Sequence, residues 1–299
     1  MCKLFGKSRQ AFYKSLSSFD KQKAKHRVVI DKVKQVRKRH RRMGCRKLLN
    51  TLSKDLAMDG IKMGRDKMFE LLREENMLVQ YRRRYVKTTQ SKHQFYKFSN
   101  LISGKQITRA EELFVSDITY IKTKSYSMYL FLVTDAYSKK IMGWKLSDNM
   151  KVINAIEAAK MAIKNRIYPS RTLIHHSDRG LQYCNPSYTT LLEKNNIQIS
   201  MTTKYDPYEN AIAERVNGIL KTEYDIADGF QNKYDAQREI KYAITLYNTE
   251  RPHLSCNYMV PEMAHRTESH CLKRWSRNII NLNSKFHQIN NTFTFELLT

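Results

Sequence analysis

The chain has 299 residues, long enough for two cores, because single hydrophobic cores stop growing near about 250–300 residues. Its 54 Lys and Arg outnumber 28 Asp and Glu, for a formal charge of +26, which points to a polyanionic partner and says nothing of fold. Five scattered cysteines without a CxxC pair exclude a disulfide framework and a zinc ribbon, and runs such as YLFLV at 129–133 are far shorter than the roughly 20 residues of a membrane span, so a cytoplasmic protein with no membrane partner is expected.

The charge is unevenly placed: residues 1–109 hold 30 Lys/Arg and 8 Asp/Glu, net +22, which leaves +4 for the rest. Residues 1–80 read as short helices with basic faces. In CKLFGKSRQAFYKS, Gly6 as a turn, Ser8 as an N-cap and Phe12 with Leu16 at helical spacing suggest the last two helices of a helix-turn-helix. Its first helix would then lie upstream of Met1, supplied by another polypeptide or a longer reading frame. A second such unit follows: VVIDKVKQVRKRH, RKLLNTLSKDL and GRDKMFELLREENM. Leu48, Leu49, Leu52 and Leu56, and Met68, Leu71 and Leu72, repeat at helical spacing and read as its core. The opposite faces carry Arg37, Lys38, Arg39, Arg41, Arg42, Arg46, Lys47, Arg65 and Lys67. That charge is too one-sided for a merely solvated face, where signs usually mix in i,i+4 pairs, so contact with DNA phosphates is expected. The stretch 81–109 opens with YRRRYVK (Arg82, Arg83, Arg84) and reads as a basic linker tracking DNA.

From about residue 110 the pattern changes. LFVSDITYI alternates, SMYLFLVTD is almost continuously apolar, and KIMGWKLS follows a turn, so two or three adjacent strands are expected, the middle one buried on both faces. Next come the helix KVINAIEAAKMAIKNR, the strand TLIHHSD, a helix through PSYTTLLEKN, the strand IQISM, a polar loop TTKYDPYE and the helix NAIAERVNGILKTEYDIA. This order defines an α/β mixed sheet flanked by helices, preceded by the all-α region, with residues 110–250 as the sheet-bearing unit and 251–299 as a tail.

Three acids fall at telling places. Asp117 lies within the first strand, and Asp178 ends the fourth, where open α/β sheets present ligands. Glu214 lies on the long helix that follows; Asn210, Glu214, Asn217, Gly218 and Lys221 share one side of it, while Ile212, Ala213, Val216, Ile219 and Leu220 fill the other. Three carboxylates gathered at one sheet edge repel one another unless cations neutralise them, and hard oxygen ligands select Mg²⁺ or Mn²⁺. Two such ions about 4 Å apart activate an attacking oxygen and stabilise the leaving oxygen of a phosphodiester. Lys221, two turns beyond Glu214, is placed to hold a phosphate.

The words FVSDITYI, HSDRGLQY and ENAIAERVNGILKTE, with 35 residues between Asp178 and Glu214, resemble the three motifs of the DDE transposases related to retroviral integrases, most closely the OrfB-type transposases of insertion-sequence family three. YNTERPH at 247–253 and the Pro261–Glu262 pair extend the resemblance, which covers the chain to about residue 266. It departs at Glu209, where the family usually has Asp, at Phe114 and Val115, in the region of a usual tryptophan, and in RPHLSCNYMVP, which lacks the usual leucine-containing phrase. The resemblance implies an RNase H-like fold, two Mg²⁺ (or Mn²⁺) ions held by Asp117, Asp178 and Glu214, and DNA contacts from Lys221 and Asn210. It further implies cleavage at element ends, then strand transfer by a DNA 3′-hydroxyl without a covalent enzyme intermediate. Terminal inverted repeats and target DNA, a homo-oligomer on DNA, and an OrfA-type partner or frameshift fusion are the implied partners, in the bacterial cytoplasm with the nucleoid.

Competing readings are plainer. His175 and His176, consecutive in a strand, point to opposite faces, so one is expected in the packing and one at the site's edge rather than both on a metal. His265, His270 and Cys271 have zinc-like spacing without a fourth ligand nearby. Asp135 reads as a turn residue; Tyr247, Asn248, Arg251 and His253 either support the catalytic helix or grip DNA. Two alternatives for the whole chain are a DNA-binding protein whose core is an inactive relic, and a nuclease that cuts but does not join.

Overall fold

The computed structural model describes residues 6, 8–80, 94–124, 126–203 and 210–267. Ser8 caps the first helix, its hydroxyl accepting from the Ala11 N–H at 3.1 Å. Helix α1 (Arg9–Arg39) then runs for 31 residues, because its sequence contains neither Gly nor Pro to stop it. From Arg9 on, the expected pair of short helices is replaced by this one long helix. Helices α2 (Cys45–Met58) and α3 (Arg65–Glu74) complete the unit. Val29, Ile30 and Val33 of α1 meet Leu48, Leu52, Leu56, Met68, Leu71 and Leu72 in one core. Gly60, at φ +66°, ends α2 in the left-handed conformation that costs a glycine least, and Ile61 folds back beneath it.

Strands β1 (Leu113–Lys122), β2 (Ser127–Asp135), β3 (Ile141–Ser147), β4 (Leu173–Ser177) and β5 (Ile197–Met201) form one sheet in the order β3-β2-β1-β4-β5. The first three are an antiparallel meander, and β4 and β5 join parallel to β1. β2 is buried on both faces as expected. Phe131 and Val133 pack under α4 (Val152–Lys164), α5 (Leu181–Cys184) and α6 (Pro186–Lys194), whereas Leu130 and Leu132 pack under α7 (Ala211–Glu223) and α8 (Lys233–Thr249). Gly143 lets β3 and α4 touch: a Cβ there would lie 2.1 Å from the Ala158 carbonyl oxygen. This five-stranded mixed sheet with helices on both faces has the RNase H-like architecture. No helix among the described residues is long and apolar enough to cross a membrane.

Two segments expected as linker and tail are partly built into this domain. Leu101 N–H donates to the Ser200 hydroxyl at 2.9 Å, so the end of the 81–109 stretch runs along β5. Helix α9 (Pro261–Arg266) inserts His265 among Glu111, Asp135 and Ser138. Glu111 is fully buried; burial pushes its carboxyl up, but His265, the Ile167 N–H and Arg166 outweigh that and hold it at about 2. Asp135 accepts from the Ser138 N–H and hydroxyl, both at 2.7 Å, which makes it the turn anchor expected. The zinc-like spacing of His265 thus belongs to an acid network; His270 and Cys271 lie outside the described residues.

The helical unit is joined to the sheet domain by charge. His40 and Arg39 pair with Glu250, Arg41 and Arg42 approach Asp225, and Lys47 reaches Glu223 at 2.6 Å. Arg37 donates instead to the Met77 and Met43 carbonyl oxygens. Much of the basic face expected to meet phosphate is therefore directed at carboxylates and carbonyls of the same chain.

Candidate active site

β1 and β4 run parallel with Val115 opposite His176. Two residues further along the same register, Asp117 comes beside Asp178, just past the end of β4. Both are half-buried. Burial pushes the Asp117 carboxyl up to about 7, with repulsion from Asp178 next and Glu214 adding, against the pull of the Asn217 amide. That amide donates to the Asp117 carboxylate at 2.7 Å and fixes its direction. On the other strand, Gly180 N–H donates to the Asp178 carboxylate at 3.0 Å. A Cβ at Gly180 would meet that carboxylate oxygen at 2.9 Å, which explains the glycine in HSDRG.

α7 delivers the third acid. Val216, Ile219 and Leu220 sink into the core beside Ile121, Leu130 and Leu132, which leaves Glu214 exposed in the helix's first turn. It is within electrostatic reach of Asp117, while burial raises its own carboxyl. Among the described residues no three metal-capable side chains are gathered on one point; the pair Asp117–Asp178 is assembled, and Glu214 stands near it. Lys221 is half-buried, and burial lowers its amine while the Asp117 charge raises it.

Beneath the acids the floor is aromatic. Tyr183, Tyr188 and His175 contact edge to face or tilted, and the Ser116 and Tyr188 hydroxyls lie 2.7 and 2.9 Å from His175 Nε2. Burial, then His176, lowers His175 to about 3, so it is a neutral imidazole. The expectation that one of the two histidines lines the site's edge is corrected: His175 and His176 are 2% and 0% exposed, His176 pairing with Ser200. Consecutive strand positions do face opposite ways, but both faces of β4 are covered.

Other expected site residues separate in the same manner. Asn210 is buried, 7% exposed, and its amide donates to the Ser116 carbonyl oxygen; it ties the start of α7 to β1 and does not face outward as the helical wheel suggested. Lys47 differs from its expected DNA-facing role because the Glu223 carboxylate holds it. Arg46, Arg65 and Lys67 are exposed, Arg65 paired with Asp66. Arg82, Arg83 and Arg84 lie outside the described residues.

The residues of YNTERPH brace α7 and the start of β3 from within the fold. Arg251, 2% exposed, grips Glu223 at the end of α7 through two bonds of 2.8 Å. Burial would raise Glu223, but Arg251 and Lys47 hold it at about 2; Lys47, lowered to about 8 by burial and Arg251, is the lesser partner. The Tyr247 hydroxyl donates to the Lys139 carbonyl oxygen at 2.8 Å, and Asn248 bonds both backbone groups of Ile141 at 3.0 Å. Asn217 and Glu223 were the site residues least visible in sequence. Asn217 shares the polar side of the helix with Glu214, the signal that could have marked it, whereas nothing local marks Glu223.

A sheet of this order with two acids on neighbouring parallel strands and a third on the helix across the sheet defines an integrase-type catalytic core. Comparison with known proteins agrees. Family models described as "Integrase core domain" match residues 107–207 and 195–261. The chain is 31% identical to the "Insertion element IS600 uncharacterized 31 kDa protein" of Shigella sonnei, covering 85% of this chain and 93% of that protein. It is 30% identical to the "Transposase for insertion sequence element IS904" of Lactococcus lactis, over 81% and 95%. It is 35% identical to "Transposase InsF for insertion sequence IS3A" of Escherichia coli, over 49% and 51%. The chain belongs to the integrase-core transposases of bacterial insertion sequences, enzymes that cleave DNA and transfer its strands.

Proposed function

We propose that this transposase cuts DNA at the ends of its element and joins the freed 3′-hydroxyl to target DNA, with Asp117, Asp178 and Glu214 as catalytic residues. The observation that carries the reading is the adjacency of Asp117 and Asp178, with Asp117 pushed up to about 7. Two carboxylates so placed disfavour ionisation unless a cation joins them. The donor set is all oxygen, which fits Mg²⁺ or Mn²⁺, and the three acids would hold the ions. Two bound ions would supply activation of the attacking oxygen and neutralisation of the leaving one.

The chain's own groups account for the rest. Asn217 and the Gly180 N–H fix the two aspartates. Lys221 offers a positive charge to the phosphate beside Asp117. The aromatic floor closes the site from below, and no side chain is needed as a nucleophile: water, then the DNA 3′-hydroxyl, displaces the phosphodiester oxygen in line. Arg46, Arg65 and Lys67 of the helix-turn-helix formed by α2 and α3 contact the element ends. Joining two ends to one target requires at least two copies of the chain on the DNA.

Asp178→Asn is the test. It should abolish cleavage and joining of a terminal-repeat duplex and leave duplex binding unchanged; retained cleavage refutes the assignment. Wild-type cleavage without joining of a 3′-hydroxyl donor would instead indicate a hydrolase.

A further inference from the structure

Helix α1 extends far beyond the unit it anchors. Its buried residues begin at Val29, and every residue from Ser8 to Lys25 is exposed. At 100° per residue Lys14, Lys21 and Lys25 share one side of this stretch, with the hydroxyls of Ser17 and Ser18 between them. Phe12, Leu16 and Phe19 lie on the opposite side. The lysine side faces Lys62 in the α2–α3 turn and Lys67 in the first turn of α3 across an open groove of about 630 Å³. Five lysines and His26 line the groove, and no carboxylate does.

Towards the body of the protein its character changes. Asp31 and Asp59 line the continuation, and Asp59 pairs with Lys32 at 3.0 Å. The lining is thus purely cationic along the outer part and mixed in charge further in.

We propose that this groove holds one phosphate backbone of duplex DNA, with α1 as an outer wall beside the helix-turn-helix. The inference rests on the DNA-transposing reading above and adds to it the surface that grips the strand. Lysines are flexible point charges suited to tracking a backbone, not to a fixed bidentate site. From Lys14 to Lys25 the helix rises about 16 Å, the axial length of about five phosphates on one strand. Lys67 belongs both to the groove and to the end of α3 that a helix-turn-helix presents to base edges, so the strand held would border the bases read.

The experiment measures binding of a short duplex by the full chain as salt is varied. K14Q/K21Q/K25Q is compared with K23Q/R27Q/K34Q, which removes the same charge from the opposite, exposed side of α1. The groove variant should lower the slope of log affinity against log salt by about 2–3, at about 0.9 per lost phosphate contact, equally for element-end and unrelated sequences. The opposite-side variant should change it by less than about 1. Equal losses in both variants, or none in the groove variant while wild type binds, overturn the groove. A larger groove-dependent loss on duplex RNA than on DNA overturns the choice of ligand. Failure of wild type to bind any duplex overturns the DNA reading itself.

Discussion

Replacing Asp117 by Asn should stabilise the metal-free protein while destroying its activity. In the fold Asp117 titrates at about 7 against an ordinary 3.8, a gap of about 3.2 units, or about 4 kcal/mol at 1.36 kcal/mol per unit. Because the side chain is partly exposed, about 2–4 kcal/mol is the reasonable span. The sign is fixed by linkage. Below pH 3.8 the acid is protonated folded or unfolded and costs nothing. Between 3.8 and 7 the unfolded chain ionises first, so stability drains away, and above 7 the full cost is present. D117N should therefore gain about 1 kcal/mol near pH 4.5 and several-fold more at pH 8. Urea unfolding in a chelator, followed by Trp144 fluorescence in a W275F background, measures this directly. Saturating Mn²⁺ should narrow the gap, raising wild type by about 2.7 kcal/mol at a hundredfold excess over Kd and leaving the variant unmoved. No gain at pH 8, or the same gain at both pH values, refutes the argument that burial and Asp178 load this acid.

Three further outcomes follow from other contacts. E223Q removes a carboxylate held at about 2 instead of 4.5 and should cost about 3 kcal/mol at neutral pH; between pH 4.5 and 2 it should lose about 3 kcal/mol less than wild type does, because Glu111 and the other depressed carboxylates still titrate in both. N217A should lower metal affinity or turnover about 10–100-fold with DNA affinity unchanged, read by cleavage assays beside anisotropy; an equal fall in DNA binding would contradict a role through Asp117. G143A forces a methyl within 2.1 Å of the Ala158 carbonyl oxygen and should cost about 3 kcal/mol or more; a thermal midpoint within about 2 °C of wild type would show that β3 and α4 can part freely.

What the sequence revealed follows from locality. β1 to β5 are legible because alternation and continuous apolar runs are set within a few residues, and β2 has the expected bounds, Ser127–Asp135. Asp117 and Asp178 are legible because each sits inside a strand word. The length of α1 is not legible, because Gly6 and Ser8 signal a helix start correctly but carry no information on where the helix ends. α8 shows Ala236, Ile240, Ala243, Ile244 and Tyr247 at helical spacing, a stripe that two alanines dilute to a weak signal. The ion pairs between the helical unit and the sheet join residues 176 to 211 positions apart. In sequence, an arginine facing a distant glutamate looks the same as one facing phosphate.

The most direct measurement is anomalous diffraction from Mn²⁺ in crystals of the protein with element-end DNA. The account predicts manganese between Asp117 and Asp178, with the Glu214 carboxylate swung from α7 to complete the ligands. Manganese held elsewhere, or bound there with Glu214 still turned to solvent, would contradict it.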